Sequence, residues 1–88
     1  MTQLVELEVS WREGKVETVR SSLEAIYEEN DVSPGKVPYK QLLPFLMKET
    51  YFLLPELGEN VIGPYVTTSS RVVYPSRLSR IKIKRVSP

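Results

Sequence analysis

The 88-residue chain contains no cysteine and no histidine. The first absence excludes disulfide stapling and thiolate chemistry. The second removes the usual general base near neutral pH and the commonest transition-metal ligand, so no Ser-His-Asp triad can be assembled. Glycine is sparse: Gly14, Gly35, Gly58 and Gly63 stand singly, and none belongs to a phosphate-cradling loop. No apolar run approaches the roughly 20 residues of a membrane span. The N-terminal MTQLVELEVSW is acidic and alternating, unlike a secretory signal, so the expected location is intracellular and cytoplasmic. Acid is missing from one end altogether, because no Asp or Glu follows Glu59.

That last absence makes the charge lopsided. Up to Glu59 the chain carries 6 basic and 11 acidic residues, net −5, and the remainder carries Arg71, Arg77, Arg80, Lys82, Lys84 and Arg85, net +6. The overall +1 conceals a dipole, which points to a polyanionic partner. With 41% hydrophobic and 26% charged residues, the composition is that of one small globular domain over 1–88. Such a domain buries only roughly 60 to 65% of the surface its unfolded chain exposes, so its core is thin. Few amides (Gln3, Asn30, Gln41, Asn60), no cysteine and many charges give a thermophile-like composition.

Alternation marks the first element. Gln3, Val5, Leu7, Val9 and Trp11 fall on one side of an extended segment, with Leu4, Glu6, Glu8 and Ser10 on the other. REGK at 12–15 then breaks the chain at Gly14. Val16, Val19, Leu23 and Ile26 recur at three- and four-residue steps, so the pattern predicts an amphipathic helix over 15–30. Glu17, Arg20, Glu24 and Glu28 would form its solvated face. NDVSPGKVP at 30–38 is a turn, and Pro38 opens further helix. Because Pro44 interrupts it, two short helices are expected at about 38–43 and 44–54, with PFLMKETYFLLPEL supplying much of the core. Tyr51 and Phe52 are its candidates for accessible aromatic side chains. VIGPYV at 61–66 and RVVY at 71–74 then predict a hairpin, and SRLSRIKIKRV at 76–86 a final basic strand. Ile81 and Ile83 take one side of that strand. Leu78, Arg80, Lys82, Lys84 and Val86 take the other.

The basic strand has two readings. If the terminal strands pair, Glu6 and Glu8 meet Arg80, Lys82 and Lys84 across the ladder, each pair contributing roughly 0.2 to 1 kcal/mol. Two glutamates cannot neutralise six cations, and the surplus suits phosphate contact, with Tyr65 and Tyr74 available to stack on bases or to cover the core. The order of elements resembles a winged-helix domain with an added N-terminal strand, residues 38–54 holding its second and third helices and 61–74 its wing. Where such domains usually present a basic recognition helix, this chain has TYFLLPEL, with only Lys48 nearby. Contact through the wing and last strand, or with protein, is implied instead.

The expectation is an α+β domain with an N-terminal strand, two to three helices and a C-terminal hairpin plus basic strand. Its expected role is that of a non-enzymatic, nucleic-acid-associated accessory protein touching DNA or RNA backbone through Arg71, Arg77, Arg80, Lys82, Lys84 and Arg85, without metal or membrane. The alternative is a protein-interaction module, a small accessory subunit that docks on a larger replication, transcription or ribosomal assembly through Tyr51 and Phe52 without binding nucleic acid itself.

Overall fold

The computed structural model describes residues 3–57 and 67–86. Period-two alternation builds its centre: strand β1 (Leu4–Trp11) points Val5, Leu7 and Val9 into the core and turns Glu8 to solvent. The turn after Trp11 reverses the chain at Gly14, whose φ of +105° is a conformation that L side chains rarely adopt. The next strand, β2 (Val16–Ser22), runs back antiparallel along β1. On the other side of β1 lies β5 (Leu78–Arg85), also antiparallel, giving a three-stranded sheet in the order β2-β1-β5.

Helix α1 (Leu23–Glu29) follows β2 directly, and α2 (Tyr39–Leu46) comes after the connection at 30–38. Strands β3 (Phe52–Leu57) and β4 (Thr67–Val73) then form a second, two-stranded sheet, and a 3-10 turn at Pro75–Arg77 leads into β5. One continuous apolar cluster draws on every element: Val5, Leu7 and Val9, Val19, Leu23 and Ile26, Leu42 and Leu46, Phe52 and Leu54, Val73 and Leu78. The α+β class therefore holds, with an N-terminal strand, two helices and a C-terminal strand and hairpin arrangement.

Several boundaries differ from expectation. The helix predicted over 15–30 is a strand to Ser22 and helical only from Leu23 to Glu29. Val16, Val19, Leu23 and Ile26 satisfy helical spacing by coincidence, while Val16, Thr18 and Val19 are β-branched and fit a pleated surface better. In the strand Val19 and Ser21 point inward, and the buried Ser21 hydroxyl donates to the Pro55 carbonyl at 2.5 Å, tying the two sheets together. Ser22 caps α1, its hydroxyl accepting from the Ala25 amide at 3.3 Å.

In place of the two helices expected at 38–54 there is one, which includes Pro44 and ends at Leu46. FLLPEL is strand β3. Its Phe52 and Leu54 are buried on one side, a period-two pattern hidden inside an apolar run. The segment compared with a recognition helix is thus extended, and the winged-helix comparison loses its third helix. RVVY does return in a hairpin, but its partner is β3. VIGPYV, with Tyr65, lies outside the described residues. Leu78 is buried and not on the basic side, because a bulge between the Ser10–Arg80 and Trp11–Leu78 pairs shifts it to the core face.

Asn30 closes the edge of β3. Its side-chain amide donates to the Leu53 carbonyl and its side-chain oxygen accepts from the Leu53 amide, both at 2.8 Å, as a neighbouring strand would. The same amide donates to the Ile26 carbonyl at the end of α1, also at 2.8 Å. Asn30→Asp keeps the acceptor but loses both donations and faces a carboxylate against two carbonyls. It should lose about 2 kcal/mol of stability, read from urea unfolding at neutral pH. An unchanged midpoint would show that water replaces the amide without penalty.

Candidate nucleic-acid interface

The antiparallel pairing of β1 with β5 sets the register of the basic residues. Glu6 stands opposite Lys84, Glu8 opposite Lys82 and Ser10 opposite Arg80, while Val5, Leu7 and Val9 meet Arg85, Ile83 and Ile81. Apolar residues thus face inward and the cations stand in a row on the outer face. On β2, Arg20 opposes Glu6 from the other side. Glu6 lies between two cations, 3.7 Å from Lys84 Nζ and 3.9 Å from Arg20 Nε. Both contacts are long and exposed, so each contributes well under about 1 kcal/mol.

The terminal strands therefore pair as charge alternation predicted, yet neutralisation is partial. Arg20, Arg80, Lys82 and Lys84 face Glu6 and Glu8, which leaves this face at +2. Arg80 and Lys82 are exposed and close no ion pair among the described residues. Because β5 is the edge of its sheet, the row is open along its length. Alternate residues repeat every 6.6–6.8 Å or so, comparable with the step between phosphates of an extended strand.

The six cations singled out in the sequence do not form one surface. Arg80, Lys82 and Lys84 share the outer face, and Arg77 sits at the 3-10 turn that begins the strand. Arg85 lies on the opposite side, its guanidinium 4.2 Å from the ring centre of Tyr39. Arg71 turns between the sheets and forms ion pairs with Glu17 of β2 and Glu56 of β3. It is a brace more than a free cation. Arg20 was missed because residues 16–22 carry a helical spacing. Read as a strand, the segment puts Arg20 on the outer face by alternation, and the register of the β1–β2 pair sets it opposite Glu6.

The brace has a titration consequence. The Lys15 ammonium, 2.7 Å from Glu17, and then the Arg71 guanidinium hold the Glu17 carboxyl below its ordinary 4.5, against the opposing effect of burial. A carboxyl whose folded pKa is depressed contributes stability above its unfolded pKa, and that contribution disappears as pH falls through the lower folded value. Thermal melts should show a decline beginning below about pH 4.5 that is shallower in Glu17→Gln. Equal slopes for the two proteins would place the acid sensitivity elsewhere.

A cleft of about 450 Å³ opens at the end of the sheets, lined by Trp11, Arg12, Lys15, Glu17, Arg71 and Arg77, with Glu13 and Ser76. The Arg12 amide donates to the Arg77 carbonyl at 3.0 Å, which fixes the β1–β2 turn against the 3-10 turn. Trp11 is half-buried, and its Nε1 is shielded from solvent with no acceptor among the described residues. Trp11 thus both packs against the core and lines the cleft.

The aromatic pair proposed for protein contact divides. Phe52 is 2% exposed and belongs to the core, which corrects the expectation that it could serve as a docking side chain. Tyr51 is 54% exposed and lies against Tyr74, ring centres 6.3 Å apart and planes tilted by 52°. Leu53 stands opposite the exposed Val72 on the same outward face of the small sheet.

Among the described residues there is no cluster of acidic side chains able to hold a metal ion, and no helix long and apolar enough to cross a membrane. No protein-family model matches the chain, and no curated protein or solved structure shows significant similarity to it, so its function has to be argued from its own surface.

Proposed function

We propose that this protein is a non-enzymatic, nucleic-acid-associated accessory protein that contacts the phosphate backbone through the outer row of β5. The observation that carries this reading is the exposure of Arg80 and Lys82 on an edge strand, in line with Lys84, with the exposed Arg77 in the 3-10 turn just before the strand. Cations held in a row on a sheet face bind phosphate without reading sequence, and the counterions released by each phosphate contact steepen the salt dependence. The test is fluorescence-anisotropy titration of labelled single- and double-stranded DNA and RNA at low and near-physiological salt. Micromolar or tighter binding that survives physiological salt and ignores sequence is expected. Binding confined to low salt would reduce the row to a partner for Glu6 and Glu8.

A second reading rests on a separate observation, the exposed apolar face made by Tyr51, Leu53, Val72 and Tyr74. Aromatic side chains clustered with aliphatic ones on a small sheet suit contact with another protein. An accessory subunit of a larger replication, transcription or ribosomal assembly would use both faces, the sheet for nucleic acid and the tyrosine pair for protein.

A further inference from the structure

We propose that the Trp11 cleft receives an unstacked base, so that the nucleic acid bound by this protein is single-stranded. The inference rests on the phosphate-contact reading and adds to it a specific site and a strand preference. The volume of about 450 Å³ is at the low end of the usual range for ligand clefts and leaves room for one base with its sugar. The cleft contains the chain's only tryptophan, and an indole is a broad platform for base stacking.

Charge favours the same ligand. The lining carries Arg12, Lys15, Arg71 and Arg77 against Glu13 and Glu17, a net +2. Lys15 and Arg71 are engaged with Glu17, whereas Arg12 and Arg77 close no ion pair among the described residues. The backbone bond between these two arginines fixes them next to each other in the lining, two cations available to a phosphate flanking the inserted base. Arg77 also stands immediately before β5, so the cleft adjoins the end of the strand that carries the basic row. A duplex keeps its bases stacked and cannot offer one to a cleft between sheets without unpairing it. A single strand can.

The lone tryptophan makes the test direct. Oligothymidylate and oligouridylate should quench Trp11 emission on binding, and an abasic strand of the same length and charge should bind about tenfold more weakly without quenching. Trp11→Leu should reduce oligothymidylate affinity to the abasic level, and Trp11→Phe, which keeps an aromatic face and removes a buried donor that has no acceptor among the described residues, should retain most of it. If Trp11→Leu does not fold, the quenching and the Trp11→Phe titration still decide. Equal binding of abasic and base-bearing strands with unchanged emission would overturn the cleft while leaving the phosphate row intact. Failure of all strands to bind would overturn the phosphate reading itself, and the cleft with it.

Discussion

Phe52→Ala should remove about 3–5 kcal/mol of stability, a large part of the roughly 5–15 kcal/mol available to a small domain. The ring is among the largest fully buried side chains and joins β3 to the core contributed by β1 and the helices. Truncation loses the transfer free energy of the ring and leaves a cavity that two packed sheets cannot readily close. One residue earlier the pleat reverses, so Tyr51→Ala should change stability by no more than about 0.5 kcal/mol. Parallel thermal and urea melts of the two variants check this contrast. Similar midpoints would mean that β3 is not held in the register that buries Phe52. The same contrast makes Tyr51, and not Phe52, the residue whose truncation can report on a protein partner, since partner release by a folded Tyr51→Ala protein has a single meaning.

The combined variant Arg77→Gln, Arg80→Gln and Lys82→Gln should bind single-stranded nucleic acid about 100-fold more weakly at 0.1 M salt, if each cation releases one counterion-bearing phosphate contact. The slope of log affinity against log salt should fall by about 2 at the same time. These three are chosen because none closes an ion pair among the described residues, so neutralising them leaves the braces at Glu6 and Glu17 in place. Glutamine also avoids setting a carboxylate opposite Glu8, where like charges across a ladder would destabilise the sheet. The melting temperature is expected to stay close to that of the parent protein. An unchanged affinity and salt slope in the folded variant would remove the basic row from the function. Lys84→Gln, by contrast, disturbs both Glu6 and any phosphate contact, which makes it a poorer test.

The two proposed surfaces lie on different sheets and have independent tests. Arg80, Lys82 and Lys84 lie on the outer face of the large sheet, and Tyr51 with Tyr74 on that of the small one. Loss of nucleic-acid binding with partner binding preserved, or the reverse, is what such a division predicts. Arg71 belongs to neither surface. Its contacts to Glu17 and Glu56 join β2 to β3, so its contribution is to the fold.

The sequence by itself determined the charge division, the first and last strands and the side of the last strand on which the isoleucines fall, because alternation in a strand is local and every second residue shares a face. From that alternation a meeting of Glu6 and Glu8 with the row Arg80, Lys82 and Lys84 could be anticipated, while the antiparallel register that sets Glu6 opposite Lys84 and Glu8 opposite Lys82 came from the fold. Only the tertiary structure decided the rest. Residues 16–22 fit both a helical and an extended pattern, and pairing with β1 resolved the choice. FLLPEL is apolar on both sides of its pleat, so its period shows only once the core takes Phe52 and Leu54. The bulge at Ser10 and Trp11 moved Leu78 across the sheet, and the packing of β2 against β3 brought Glu17 within reach of Arg71 and turned it from a surface cation into a brace. The Trp11 cleft is assembled from segments near residues 11–17 and 71–77, a juxtaposition that depends on how two sheets meet and that no local pattern encodes.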